Sequence, residues 1–200
     1  VSQGPSSWFN RQRAGILIAA AAVAIIAGMS PFLFRQDPDL NPLVPDYSTT
    51  RIKGLEPSIV LYRKVSGSVE QLGNNAKASE NDLLQIKYNA GGKLFGVIFS
   101  IDGRGVVTLH YPADKSGSLV LTRDGEVALD FSYQLDDAPR FERFFFITSD
   151  RTFNIDTVLT AGWNLADKLV RDDVDLNKSK LDLPAELDQI SMILQKEVSK

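Results

Sequence analysis

The sequence predicts a mainly β protein, in which one N-terminal transmembrane helix precedes an antiparallel β-sandwich or open barrel with two C-terminal helices. Three observations predict this class. Residues 14–34 carry no charge, residues 55–150 hold short apolar and β-branched stretches between turns, and residues 151–200 place apolar residues three and four apart. The length of 200 residues allows one ordinary domain plus an appendage.

Composition excludes several classes of protein. A chain that is 44% hydrophobic and 24% charged is not wholly disordered. Without cysteine there is no disulfide framework, thiolate metal site or cysteine nucleophile, and the single histidine cannot build a multi-histidine metal site. The net charge of −3 disfavours a nucleic-acid partner, because such binders usually carry a basic excess.

The uncharged run at 14–34 predicts a transmembrane helix in contact with membrane lipid. A helix of 21 residues spans roughly 30 Å, the thickness of the hydrocarbon core of a bilayer. The run is apolar on every side, whereas the helices of soluble proteins usually keep a polar stripe. The alternative is a cleaved signal peptide, but the run exceeds the usual apolar region of roughly 7–15 residues and no clean cleavage site follows.

The residues that flank the run predict its orientation. Arg11 and Arg13 precede it, and no acidic residue occurs before residue 35. Because basic residues favour the cytoplasmic side, we expect residues 1–13 to be a cytoplasmic linker and the rest of the chain to lie outside the membrane. Whether a cytoplasmic module precedes Val1 stays open. Beyond the two arginines, 20 basic and 25 acidic residues remain, a net charge of −5.

The run also contains pairs of small residues four apart, such as Gly15 with Ala19 and Ala24 with Gly28. Such pairs let two helix backbones approach closely, so association into homo- or hetero-oligomers through this helix stays open. Chance is the alternative explanation in so alanine-rich a stretch.

The following residues, 35–54, contain Pro38, Pro42 and Pro45, and the fixed φ and missing amide proton of proline predict an extended spacer.

Residues 55–150 predict a β-rich extracytoplasmic domain. Residues 82–88 alternate apolar and polar side chains, and residues 93–101 and 106–111 flank the turn sequence Asp102-Gly-Arg-Gly105, which is the strongest hairpin signal in the chain. The predicted strands are 58–65, 82–88, 93–101, 106–111, 118–122, 127–130 and 140–148. Their spacing favours an antiparallel sandwich or a partly open barrel.

Residues 151–200 predict a helical segment. Between Ile155 and Val170 apolar residues recur at spacings of three and four, which is typical of one face of a helix. After Pro184, Leu187, Ile190 and Ile193 repeat that spacing and predict a second helix. The polar residues 171–180 between them predict a loop.

The stretch 92–112 combines a glycine, an apolar strand, an aspartate–glycine turn, a second strand and Tyr111-Pro112, and Glu142 later precedes another apolar strand. This pattern resembles a bacterial envelope-protein domain of unknown function, over about residues 55–155. Such β-rich domains are found with caspase-like, kinase-like or anti-sigma-like membrane proteins. The resemblance implies a recognition module of the bacterial inner membrane and carries over no catalytic residue. An anti-sigma-like protein would also have a cytoplasmic zinc-binding module before the span.

His110 is the one imidazole from which a catalytic set could be built. Ser100 and either Asp102 or Asp114 could complete a Ser/His/Asp arrangement, but no nucleophile-elbow sequence or oxyanion loop accompanies them. We therefore expect His110 to be a surface or edge residue and assign no catalytic residue.

Further residues carry weak signals for ligands. Five aspartates lie near predicted turns, where their side chains cap backbone amides, and calcium-loop spacing is missing: Asp102, Asp114, Asp124, Asp136 and Asp137. Gly103 and Gly105 belong to no phosphate loop. We assign no metal ligand and no cofactor.

The run Phe144–Phe146 predicts a strand that is buried on both faces. Alternatively, its second face binds a partner or the C-terminal helix, through Trp163.

Together these observations favour a non-catalytic single-pass membrane protein whose extracytoplasmic domain is an interaction or sensing module with protein partners, as in an anti-sigma-like regulator. The alternative is a structural accessory subunit of a multi-protein membrane assembly. An enzyme is the weakest of the three hypotheses.

Overall fold

The computed structural model describes residues 56–123, 125–171 and 174–197. Within them the chain forms nine strands and one helix: β1 (Ser58–Val65), β2 (Ser68–Leu72), β3 (Ala76–Ala78), β4 (Leu83–Asn89), β5 (Phe95–Asp102), β6 (Val107–Tyr111), β7 (Glu126–Gln134), β8 (Phe141–Ser149), α1 (Ile155–Arg171) and β9 (Asp188–Lys196). The predicted linker, transmembrane run and spacer, residues 1–54, lie outside these residues. No helix in the described part of the chain is long and apolar enough to cross a membrane.

The strands form two sheets, which confirms the prediction of a mainly β protein. The four-stranded sheet has the order β2-β1-β4-β7, and the five-stranded sheet has the order β3-β9-β8-β5-β6. Neighbouring strands are antiparallel except for β3 and β9, which are parallel.

The main core lies between the two sheets. Leu61, Leu84 and Ile86 of the four-stranded sheet belong to the same buried cluster as Phe144 and Phe146 of β8. All five side chains are fully buried. The two sheets therefore pack face to face, as in a sandwich.

The outer face of the five-stranded sheet forms a second core with helix α1. Phe145 stacks on Phe99 at a centroid distance of 5.1 Å, and Val158 and Leu159 of the helix belong to the same buried cluster. The predicted burial of Phe144–Phe146 on both faces is thereby confirmed. Trp163 does not provide the cover, because its side chain is 46% exposed.

Local sequence explains where α1 begins and stabilises both of its terminal turns. The Asn154 side-chain oxygen accepts a hydrogen bond from the Asp156 amide at 2.8 Å, which satisfies one of the free amides of the first turn. Asp156 in the first turn and Lys168 and Arg171 in the last turn complement the helix dipole. This helix confirms the first of the two predicted C-terminal helices.

The second predicted C-terminal helix is wrong, because Asp188–Lys196 is strand β9, which pairs with β8 over residues 188–195. Met192 and Leu194 point into the core between the sheets, whereas Ile193 between them points into the core under α1. A strand buried on both faces shows no alternation, so its apolar residues matched helical spacing by coincidence.

Residues 118–122 make a single bridge, Phe95 with Val120, in place of the predicted strand.

The predicted hairpin is confirmed as β5 and β6. The Asp102 carboxylate accepts hydrogen bonds from the amides of Arg104 and Val106, both at 2.8 Å, and Gly105 has a φ of +83° that favours glycine. Further along, the register shifts, because Leu109 lies opposite Phe99 whereas Tyr111 lies opposite Ile98. His110 is therefore the extra residue of a β-bulge, and bulges re-aim side chains.

Candidate functional site

Four polar side chains meet inside the core between the sheets, and we call Ser100, His110, Tyr133 and Glu142 the buried polar cluster. They come from β5, β6, β7 and β8 respectively, so the cluster joins both sheets. Ser100 and Glu142 are 0% exposed and His110 is 1% exposed. Polar groups at such depth are normally stabilised by hydrogen bonds or kept neutral.

His110 contacts the other members of the cluster through both its nitrogen and its ring. Its Nε2 lies 2.9 Å from the Ser100 hydroxyl, in a hydrogen bond whose direction depends on the imidazole tautomer. The ring packs edge-on against Tyr133, with centroids 4.6 Å apart, and stacks on Phe144 at 5.5 Å. Burial lowers the pKa of His110 to about 3, so the imidazole is neutral near physiological pH.

His110 was predicted to be a surface or edge residue, and the prediction of an exposed side chain is wrong. Strand β6 is an edge strand of its sheet, but the bulge at His110 turns the side chain into the core. Strand alternation does not reveal this, since a bulge shifts the pattern by one residue.

The structure brings together only part of the Ser/His/Asp arrangement considered from the sequence. Ser100 and His110 are paired, but Asp102 caps the β5–β6 turn, and Asp114 accepts a hydrogen bond from the Ser116 amide at 2.8 Å in an exposed loop. Ser100 is fully buried, so its hydroxyl is closed to a substrate in this structure. The geometry therefore favours a structural pair over a nucleophile and base.

Glu142 is the most unusual member of the cluster. Its Oε1 accepts a hydrogen bond from the Tyr133 hydroxyl at 3.3 Å, while its Oε2 is buried with no hydrogen-bond partner among the described residues. Burial is the main cause that raises the pKa of Glu142 to about 7, and the neighbouring Ser100 hydroxyl opposes the increase. Burial likewise raises the pKa of Tyr133 well above its ordinary value.

Two basic residues hold the segment between β7 and β8, which joins Tyr133 to Glu142. The buried Lys196 ammonium of β9 donates a hydrogen bond to the carbonyl of Asp136 and lies 3.8 Å from its carboxylate. The next residue, Asp137, pairs with Arg104 of the β5–β6 turn at 2.7 Å. The segment that connects these two members of the buried polar cluster is therefore tethered to both β9 and the β5–β6 turn.

On the opposite face of β8, Arg143 anchors the chain between α1 and β9. Its guanidinium donates hydrogen bonds to the carbonyls of Leu176 and Ser179, at 2.6 and 2.8 Å, and to the Ser191 hydroxyl at 2.9 Å. It also lies over the Phe145 ring at 4.7 Å. Burial lowers the pKa of Arg143 to about 10, which leaves it charged near neutral pH.

Two wide grooves flank α1. One, of about 450 Å³, is lined by polar residues that include Thr157, Thr160, Asn164 and Asp182. The other, of about 440 Å³, lies beside Lys115 and Phe153. Neither groove reaches the buried polar cluster.

The aspartates near predicted turns mostly act as caps. Asp102, Asp114 and Asp136 accept hydrogen bonds from backbone amides two residues ahead, as the sequence predicted, whereas Asp124 lies outside the described residues. Within residues 56–123, 125–171 and 174–197, no three histidine, aspartate or glutamate side chains converge to hold a metal ion.

Comparison with known proteins does not assign the chain to a family. No family model, no curated protein and no solved structure matches the chain. The resemblance of residues 55–155 to an envelope domain therefore stays a prediction.

Proposed function

We propose that this protein is a non-catalytic, single-pass protein of the bacterial inner membrane, with its N-terminus in the cytoplasm. Its β-rich domain lies outside the cytoplasm and serves as an interaction or sensing module, as in an anti-sigma-like regulator. The observation that carries the proposal is the uncharged run at 14–34, preceded by Arg11 and Arg13 and followed by a compact two-sheet domain.

The uncovered sheet supports an interaction role. Helix α1 packs on the five-stranded sheet, but no described element packs on the outer face of the four-stranded sheet. The alternation of β1, β2 and β4 places Tyr62, Val69 and Lys87 on this outer face. Val69 is 70% exposed, so the face offers a protein partner apolar contact area.

The buried polar cluster supports sensing better than catalysis. A catalytic serine or carboxyl must reach its substrate, whereas Ser100 and Glu142 are sealed between the sheets. A buried group that titrates near neutral pH can still report a change in its surroundings.

Capture from native membranes tests the interaction role. We expect the detergent-solubilised full chain to retain a protein partner, and Val69→Lys to lose it, because a lysine that is buried against the partner must be desolvated. Val106→Lys is the matched control, since Val106 is 53% exposed but lies in the β5–β6 turn.

The identity of the retained proteins separates the two functional hypotheses. A single signalling protein would support the regulator, whereas several membrane subunits in constant proportion would support the structural accessory subunit. Equal capture by the Val69 and Val106 variants would contradict the docking face.

A further inference from the structure

We propose that Glu142 is a proton-operated switch: its neutral carboxyl lets the two sheets close around the buried polar cluster, and its charged carboxylate loosens that end of the sandwich. The use of this switch in sensing rests on the proposed function, because a domain outside the inner membrane experiences external pH. The switch itself requires only the packing described above.

The surroundings of Glu142 stabilise a charged carboxylate poorly. An ionised carboxylate offers roughly four acceptor positions, but the hydroxyls near Glu142 among the described residues are those of Tyr133, at 3.3 Å, and Ser100. The Glu142 Oε2 is buried without a partner among the described residues. A buried charge in this state is costly, whereas a protonated carboxyl needs fewer donors and supplies one of its own.

The charged and titratable groups around Glu142 also favour its neutral form. They comprise Asp102 of β5, His110 of β6, Tyr133 of β7, Asp136 of the following segment and Lys196 of β9. The two aspartates disfavour a further negative charge, and the imidazole stays neutral. Lys196 alone in this set favours the carboxylate, and its ammonium is already bonded to the Asp136 carbonyl.

The same contacts identify what moves when the proton leaves. Tyr133 belongs to the four-stranded sheet, and it contacts both Glu142 and His110 of the other sheet. A charged carboxylate would compete with the Asp136 carbonyl for the Lys196 ammonium. We therefore expect the segment from Tyr133 to Glu142 to loosen on ionisation.

The sign of the pH effect follows from the raised pKa of Glu142. Its contribution to stability is complete below about 4.5, its ordinary value, and is lost as pH rises to about 7. Between pH 4.5 and 8 the unfolding equilibrium constant of the wild type should rise by roughly two orders of magnitude relative to Glu142→Gln. His110 titrates in both proteins, so its opposite contribution, lost as pH falls from 6.5 to about 3, cancels.

Infrared titration and hydrogen exchange of the full chain in detergent test the switch. Between about pH 6 and 8.5 the wild type should lose the band of one protonated carboxyl, and residues 133–142 should lose amide protection after correction for intrinsic exchange rates. Glu142→Gln should show neither change, whereas the control Glu186→Gln, at an exposed glutamate, should show both.

A further variant keeps the proposal testable if Glu142→Gln does not fold. Because the Ser100 hydroxyl lowers the pKa of Glu142, Ser100→Ala should move the carboxyl transition to higher pH. The proposal is overturned if no carboxyl titrates in this range, or if one titrates while the protection of residues 133–142 stays constant. These results do not depend on membrane topology or on a partner, so they are separate from a failure of the proposed function.

Discussion

Phe145→Ala should lower the free energy of unfolding by about 4 kcal/mol, as expected when a fully buried phenylalanine is truncated. Phe145 is 0% exposed and stacks on Phe99 at 5.1 Å in the core between the five-stranded sheet and α1. The substitution leaves a cavity between a central strand and the helix, and both are too well packed to collapse into it. It also removes the ring over which Arg143 lies.

Urea titration of the detergent-solubilised chain measures this effect, with Trp163 of α1 as the fluorescent reporter in a Trp8→Phe background. Phe131→Ala is the matched control, because Phe131 is 41% exposed in β7 and its truncation opens no internal cavity. Equal unfolding midpoints for the two variants would contradict the packing of α1 on the five-stranded sheet.

Arg143→Met should lower the free energy of unfolding by about 2 kcal/mol, because the partly buried acceptors of the guanidinium lose their donor. Two of these acceptors are the carbonyls of Leu176 and Ser179, in the chain that links α1 to β9. The loss of stability is limited because methionine preserves the packing of the side chain and removes the cost of burying a charge.

Limited proteolysis supplies a local measurement for the same variant. Cleavage between residues 174 and 187 should be faster in Arg143→Met than in the wild type, since this segment loses two of its tethers. Arg104→Met is the control: Arg104 is 45% exposed, and its pairing with Asp137 is in contact with solvent. If both variants are cleaved at the wild-type rate, Arg143 does not anchor this segment.

Local patterns predicted those parts of the fold in which one face differs from the other. The alternation at 82–88, the glycine turn between β5 and β6 and the apolar stripe of α1 each correspond to an observed element. Strand β9 was not predicted because Ile193 and its neighbours are apolar on both faces. Its structure is decided by pairing with β8, from which the paired residues are separated by 40 positions or more along the chain. Such pairing between distant residues leaves no mark in a local window.

The candidate site was less predictable than the fold. Ser100 and His110 lie on adjacent strands of the predicted hairpin, so their proximity could be anticipated, but the bulge that turns His110 inward could not. From the sequence, Glu142 was singled out only as part of a resemblance. An acidic residue between Phe141 and Phe144, within a strand predicted to be buried on both faces, is the signal that could have identified it. Its approach to Tyr133 requires the two sheets to pack, which sequence spacing does not encode.

We propose that the described domain lies outside the cytoplasm and that residues 14–34 are its single membrane-spanning segment. Reporter fusions at residue 10 and residue 200 test it most directly, with one reporter active only in the cytoplasm and one active only outside it. We expect the cytoplasmic reporter to be active at residue 10 and the external reporter at residue 200. Cytoplasmic activity at residue 200 would contradict both the orientation and the extracytoplasmic role of the domain.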